Sequence, residues 1–535
     1  MERLRTGLLA LWLVALALLA GCANTAATRS ANGLELDLQA DAHKGFVALR
    51  VIALRPISPL NPKWQSVEIR AAATGQRDEL HDVTVKANVF FSGRYYPTES
   101  LYFAKLDAGR YDVTGFGSTG PGPGLLLALM MSDRSNAKLP GFNVEAGRLT
   151  NLGTIVYAPS FKDDKAEGKA RAEQLFLLNG PMGKRAVLDM LQAESRRADL
   201  PLTEGGGWSS VQSADEEQRQ LKLAREQVSM LYVGGAGSGI VAGSHLGQIF
   251  RRSAGASLQR DTVDTLGTLF SAGQTADGRW VAGGEYGTYY VKEANGHWEP
   301  HRLPGDSGRV VHIEPRGPDG VVLITTANMQ SRFWARDHLA DASEQAREVA
   351  KVAAPPDTLL STPTQWILFR NIPGISREAE SFSVQKADFD TRARIEKFWV
   401  NASQALPGGE LRLTRQNGTS FYPTRSVDDG KSWQLGETVS GAGTYWVDSQ
   451  RGYGLDWKAG LSTVDHFLQK TTDGGKTFQR VGTPIETSGM LGRIVYADTT
   501  EVLFQGSDLL YSTKDEGQTW VRVLPAEVSR PAPGR

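Results

Sequence analysis

The chain has 535 residues, with 59 basic and 59 acidic side chains, 40% hydrophobic residues, 58 glycines and one cysteine. That length is too great for one ordinary core and implies two or more domains. The neutral charge balance gives no electrostatic reason to expect nucleic acid as a partner, and one cysteine excludes an internal disulfide, a cysteine-based zinc site and a thiol pair for redox work.

Arg3 and Arg5 precede an apolar run from Gly7 to Ala20. The run is too short to read as a spanning helix and has the layout of an export signal. It ends in Leu19-Ala20-Gly21-Cys22, which resembles the lipobox of bacterial lipoproteins. The resemblance implies a signal peptide over 1–21, cleavage before Cys22, a diacylglycerol on its thiol and an acylated (palmitate-type) N-terminus. Several chains anchor stably, because each buried methylene contributes about 0.8 kcal/mol. Ala23 follows the cysteine where inner-membrane lipoproteins carry aspartate, so the resemblance implies the outer membrane, facing the periplasm or the exterior. Residues 22–32 are small and polar and read as a flexible tether.

Residues 33–160 are dominated by alternating segments, among them Phe46–Leu54, Val83–Phe91, Ser100–Ala104 and Gly109–Thr114. Period-two patterning with Gly, Asp and Pro punctuation predicts a small β-sandwich. Ala108-Gly109-Arg110-Tyr111 and the later Val144–Gly153 segment resemble paired strands of prealbumin-like domains. The apolar run Leu125–Met131 reads as a buried strand. Residues 161–230 turn charged and rich in Ala, Leu and Gln; the 3.6-type periodicity of Lys184–Ala198 and Ala214–Met230 predicts a helical connector.

From residue 231 to 526 the sequence repeats. Ile240–Phe250 and Trp280–Tyr290 match at an offset of 40 residues. Apolar strand starts recur near Val322, Trp366, Leu411, Leu455 and Val502. Seven units at roughly forty residues each predict a seven-bladed β-propeller. Residues 527–535 read as a disordered tail.

Three segments share a tighter pattern: Ser426-x-Asp428-x-Gly430-x-Ser432-Trp433, Thr471-x-Asp473-x-Gly475-x-Thr477-Phe478 and Thr513-x-Asp515-x-Gly517-x-Thr519-Trp520. Their aspartates lie 45 and 42 residues apart. The pattern resembles the Asp-box, or bacterial neuraminidase repeat, with a fainter copy at Lys292–Trp298. The aspartate suits a hairpin turn, accepting backbone N–H bonds, the glycine supplies a positive φ, and the aromatic ring packs between blades. These residues are therefore read as structural. The resemblance extends to sialidases, other glycosidases, sortilin-type receptors and photosystem II assembly factors, so fold alone leaves function open.

A sialidase grips the substrate carboxylate with three arginines, and Arg309, Arg370 and Arg493 lie near blade starts as a candidate ligand face. The arginine motif of that family is matched only by Phe369-Arg370-Asn371-Ile372-Pro373, with Asn371 inserted. Glu285-Tyr286 offers a nucleophile pair by composition, but strand neighbours point to opposite faces. His297, Glu299 and His301 alternate and would share one strand face as metal ligands, but a solvated hairpin edge explains them far better. No cofactor, metal or catalytic residue is assigned. The sequence thus reads as a lipid-anchored envelope lipoprotein whose propeller is a non-catalytic binding or assembly module for an envelope protein or glycan. A sialidase-like or other glycoside hydrolase is the alternative.

Overall fold

A computed structural model of the chain describes residues 27–30, 33–36, 39, 41–54, 64, 66–83, 99–118, 133–135, 139–158, 173–195, 200, 202–236, 239–253, 256–306, 308–327, 330–353, 357–372, 378–417, 420–437, 443–459, 464–487, 492–506 and 509–524. Cys22 with its signal segment, the Leu125–Met131 run and the tail at 527–535 lie outside the described residues; of the segment read as a flexible tether, Ala27–Ser30 instead forms a strand paired antiparallel with Gly33–Leu36.

The N-terminal part is one curled mixed sheet where two facing sheets were expected. Its strands run in the order Gln174–Leu178, Leu149–Ala158, Lys44–Ala53, Glu99–Asp107, Arg77–Asp82, Ser66–Ala71, Gly109–Ser118, Phe142–Val144 and Gly207–Trp208. A short strand, Asp133–Ser135, pairs beside Gly109–Ser118. Only the Leu149–Ala158 and Lys44–Ala53 pair is parallel among these. The sheet curls because apolar residues from distant strands share one core. Val47, Leu49 and Ile155 on one side meet Val67, Phe116, Phe142 and Trp208 from the other. Trp208 donates its indole N–H to the Leu152 carbonyl at 2.5 Å, drawing the last strand back toward the second. Alternation alone does not distinguish a sandwich from a sheet bent onto itself, since both put every second residue inside.

Strands Lys44–Ala53 and Leu149–Ala158 are buried along nearly their whole length. Their second face is covered, which is why Phe46–Leu54 reads as an almost continuous apolar run. Part of that cover is the helix Pro181–Ser195, whose Val187, Met190 and Leu191 pack on Phe46, Ala48 and Phe103. A second helix, Ala214–Glu226, is capped by Ser213, whose hydroxyl accepts from the Glu216 N–H. Its Glu217 is buried and accepts from the backbone N–H groups of Met182 and Gly183 at 3.0 and 2.8 Å. That places a carboxylate at the positive end of the first helix, which has no acid in its own first turn. The stretch expected to be a pure helical connector therefore also supplies two strands of the sheet, Gln174–Leu178 and Gly207–Trp208.

Seven four-stranded antiparallel sheets follow, each made of consecutive strands. Blade 1 spans Tyr232 to Thr262, blade 2 Ser271 to Arg302, blade 3 Arg309 to Val352 and blade 4 Thr358 to Glu396. Blade 5 spans Trp399 to Leu435, blade 6 Thr444 to Thr487 and blade 7 Val502 with its neighbours, Gly492 to Leu524. All seven apolar starts seen in the sequence fall in the second strand of a blade. This is a seven-bladed propeller, as the forty-residue period predicts.

Among the described residues no strand is exchanged between blades 7 and 1, and side chains close the ring. Arg493 donates to the Leu231 carbonyl at 2.7 Å, Gln505 donates to the Met230 carbonyl, and Arg252 pairs with Glu501 while lying over the Tyr496 ring. Other blades are pinned similarly. The Asn371 side chain both donates to and accepts from the Val400 backbone, at 3.0 and 2.9 Å, joining blades 4 and 5. Gln404 does the same with Trp446 between blades 5 and 6. Glu314 gathers Ser361, Trp366 and Lys386 between blades 3 and 4.

Candidate functional site

Each blade has two kinds of end. The start of its innermost strand and the turn between its second and third strands lie at one edge, here the upper face. The turn between the third and fourth strands lies at the opposite, lower face. The three patterned segments occupy that lower position in blades 5, 6 and 7, and so does the fainter Lys292–Trp298 copy in blade 2.

Their geometry is nearly the same three times. Asp428 Oδ1 accepts from the Ser426 hydroxyl at 2.7 Å and the Ser432 N–H at 2.9 Å, and Oδ2 accepts from the Ser432 hydroxyl at 2.6 Å. Asp473 makes the matching bonds with Thr471 and Thr477, and Asp515 with Thr513 and Thr519. The first hydroxyl also accepts from the glycine N–H: Gly430, Gly475 and Gly517, at φ of 80°, 90° and 85°. Hydrogen bonds from Ser432 and Thr519 hold the Asp428 and Asp515 carboxyls down to about 2, and the one from Thr477 lowers Asp473 further. Trp433 meets Phe369 of blade 4 edge-on, and Trp520 donates to the Thr483 carbonyl of blade 6 at 3.3 Å. Phe478 lies beside Gly454 and Gly475 of its own blade. Trp433, Phe478 and Trp520 are all half-buried.

The upper face carries a second set of repeated turns, in blades 1 and 2. The turn His245-Leu246-Gly247 follows the second strand of blade 1, and Glu285-Tyr286-Gly287 follows that of blade 2. Ser244 and Gln248 bond across the first as Gly284 and Thr288 bond across the second. Leu246 and Tyr286 stand at φ 55° and 53°, a conformation that is costly for both side chains. Gly247 and Gly287 follow at φ 70° and 67°, where an added Cβ would meet the Val263 carbonyl oxygen at 2.2 Å or that of Asp306 at 2.4 Å.

Both turns hold the N-terminal sheet. Arg50, in strand Lys44–Ala53, donates to Glu99 of the adjacent strand, with Nε at 2.9 Å, and to the Leu266 carbonyl at 3.2 Å. The same Nη2 lies 3.7 Å from Glu285 Oε2. Thr268 donates its hydroxyl to Glu99 Oε1 at 2.8 Å, so the Thr268 oxygen must accept from His245 Nδ1, 2.9 Å away. Arg50 and Glu99 side chains are 4% and 5% exposed, and Glu285 13%. Burial pushes Glu285 well above the usual carboxylate range, and the Glu99 charge pushes it further. Burial opposes the Glu99 charge too, but Arg50 outweighs it and holds that carboxyl below its usual range. Burial lowers His245 to about 4. Two buried carboxyls thus face the Arg50 guanidinium, and Arg309 of blade 3 adds a further positive charge near Glu285.

Tyr286 packs against the core under the helix Pro181–Ser195. Leu246 joins a larger cluster in which Ile52 and Val156 of the sheet, Leu221 and Val228 of the helical segment, and Phe250 of blade 1 touch. Glu285 and Tyr286 are thus in a turn, and not in the strand expected from the sequence. Arg50, Glu99, His245 and Thr268 were not legible as partners. The one hint was that the two matched repeats keep their glycines and differ at these paired positions.

The three sequence-flagged arginines share the upper face but sit on different blades. Arg309 opens blade 3 and lies 5.5 Å from the Phe270 ring. Arg370 ends the second strand of blade 4, donating to the Ala353 carbonyl at 3.2 Å and pairing with Glu380 at 3.4 Å. Arg493 belongs to the blade 7 closure and also donates to Gln505. His301 stacks on Tyr289, 5.2 Å between ring centres, and sits 3.4 Å from buried Arg336, while His297 and Glu299 are exposed. Among the described residues no group of three or more His, Cys, Asp or Glu is placed to hold a metal, and no helix is long and apolar enough to cross a membrane.

The architecture defines a seven-bladed β-propeller carrying a docked N-terminal curled sheet. No family model and no curated protein matches the chain. Solved propellers resemble it: YCF48 bound to D1 peptide (13% identity, TM-score 0.37, covering 53% of this chain and 91% of that one) and YCF48 from Cyanidioschyzon merolae (13%, 0.36, 54% and 97%). BamB from Moraxella catarrhalis is similar at 11% identity and TM-score 0.34, covering 54% of this chain and 87% of that one.

Proposed function

We propose that this chain is a lipoprotein held to the outer membrane by lipid on Cys22, whose propeller is a non-catalytic binding and assembly module for an envelope protein or glycan. The three lower-face loops, read as Asp-boxes, hold its blades. The observation that supports this reading is the employment of the candidate catalytic groups. Glu285 and Tyr286 dock the N-terminal sheet, Arg493 closes the ring, Arg370 pairs with Glu380, and His301 packs beside Arg336. The docked sheet occupies the upper edges of blades 1 and 2, and blades 3 to 6 carry the face assigned to the partner.

Metabolic labelling with palmitate tests the anchor: label is expected in the wild type and lost in Cys22→Ala, and an unlabelled wild type overturns it. Photo-crosslinkers placed at Trp457, on the upper side of blade 6, and at Val427, on the lower side of blade 5, test the face. Partner adducts are expected from Trp457 only; adducts from Val427 alone overturn the assignment. Hydrolysis of a fluorogenic sialoside or glucoside, lost in Glu285→Gln, would replace the reading with a glycoside hydrolase.

A further inference from the structure

The chain enters the propeller at the seam between blades 7 and 1, the one junction of the ring that the chain itself does not bridge. Residues 228–231 lead from the helix Ala214–Glu226 to the first strand of blade 1. All four of their carbonyls accept from propeller side chains. Arg260 of blade 1 donates to Val228 at 3.2 Å, and Ser244, beside the blade 1 turn, donates to Ser229. Gln505 of blade 7 donates to Met230, and Arg493 donates to Leu231 at 2.7 Å. Two bonds thus go to each side of the seam. Val228 and Met230 are fully buried, in one cluster with Ile240 and Phe250 of blade 1 and Val495 and Leu503 of blade 7. Buried carbonyls need partners, and here side chains supply them in place of a neighbouring strand.

Other junctions are held differently. Asn371 pins blade 4 to blade 5, and Gln404 pins blade 5 to blade 6, by direct bonds between neighbours that the chain already joins. Blades 7 and 1 meet directly through Arg252 and Glu501, toward the lower face. Arg493 lies at the start of the first strand of blade 7 and Gln505 near the end of its second, so residues 228–231 fill the upper half of the seam. Their other end belongs to the N-terminal module. Leu221 and Ala224 of the helix share the cluster with Ile52, Val156 and Phe176 of the sheet. Glu217 ties the same helix to Met182 and Gly183 of the first one.

We propose that residues 228–231 are the closing strap of the ring, and that the docked N-terminal sheet holds the strap in its seam, so that docking and ring closure are one event. As control over the partner-binding face this rests on the proposed function; closure itself does not. The bonds from Arg493 and Gln505 to the strap span 262 and 275 residues. A contact of that reach carries the entropy cost of closing the whole intervening loop, so it forms after the blades and is lost before them. Undocking the sheet withdraws the helix, slackens the strap and frees the upper edge of blade 7, while blades 2 to 5 keep the links of the chain itself.

Amide hydrogen exchange of the full chain in low urea tests this. In the wild type, residues 228–236 and 492–506 are expected to open together, with one urea dependence, before 365–371 of blade 4. Gln505→Leu removes one strap bond at similar side-chain volume and is expected to lower protection in both segments by about tenfold, the effect of one buried hydrogen bond. Glu217→Ala loosens the helix from within the N-terminal module and is expected to lower protection at 492–506 as well. Separate opening of 228–236 and 492–506 in the wild type, or unchanged protection in Gln505→Leu, overturns the strap. A loss in Glu217→Ala that stops at 214–226 overturns the coupling to the sheet. Either failure leaves the crosslinking test of the partner-binding face standing.

Discussion

The lower-face loops of blades 5 to 7 and the upper-face turns of blades 1 and 2 are both repeated devices, yet they work over different distances. In the loops every bond to the aspartate comes from residues within four positions of it. In the turns the partners lie far along the chain: Arg50 reaches Leu266 across 216 residues, and Thr268 reaches Glu99 across 169. A short-range device keeps one residue pattern, because the same hairpin must close each time. A long-range device varies its residues with its partner, and keeps only the glycines that shape its backbone.

The largest effect is expected from breaking the long-range device. Arg50→Met takes from Glu99 and Glu285 the buried guanidinium that both face. Removing one member of a buried pair costs about 3–5 kcal/mol. Urea unfolding should show that loss, and a shift under about 1 kcal/mol would mean the cluster is wet rather than buried. The next largest effect should come from the turn backbone. Gly287→Ala forces a methyl against the Asp306 carbonyl oxygen at 2.4 Å, whereas Gly296 has a similar positive φ and open space around it. A left-handed alanine costs about 1–2 kcal/mol at either site. Gly287→Ala should therefore lower Tm clearly more than Gly296→Ala; equal shifts would show that the turn relaxes freely.

What the sequence disclosed follows the same division. The period of forty residues, the seven second strands and the hairpin loops were legible because each is written locally: a strand's alternation, a glycine, a hydroxyl two residues before an aspartate. The two helices were legible from their 3.6 period. The curl of the N-terminal sheet was not, since Val47 and Trp208 share a core only after the chain has folded. Arg50 was hidden for a related reason. In Phe46–Leu54 it looks like the one polar interruption of a strand, and its partners are far along the chain, Glu99 in a neighbouring strand and Leu266 in the propeller. Glu285 and Tyr286 attracted notice as chemistry-bearing residues, but their position in a turn, and so their direction, was set by the flanking glycines.

The short-range device should show itself in acid. Asp428 and Asp515 have an ordinary value of 3.8 and are held near 2 in the folded chain. A lowered carboxyl contributes stability above its ordinary value and gives it up as pH falls through the folded one. The triple variant Asp428→Asn, Asp473→Asn, Asp515→Asn should accordingly be less stable than wild type at pH 5, with the gap narrowing toward pH 2.5. A gap that is constant over that range would mean that the loops contribute shape but no charge-assisted bonds.

The smallest structural effect is expected at Arg370, and it carries the most information about the face. Its side chain and that of Glu380 are 29% and 30% exposed, and a pair so accessible contributes roughly 0–1 kcal/mol. Arg370→Ala should leave Tm within a degree or two of wild type. If the upper edges of blades 3 to 6 meet the partner, the same variant should weaken adducts from the Trp457 crosslinker, because solvent-facing arginines supply charge-steered contacts at little cost to the fold. An unchanged Tm with unchanged adducts would move the partner away from blade 4. A large Tm loss would instead class Arg370 with Arg50, as a pin of the fold, and leave blades 5 and 6 as the part of that face still free to bind.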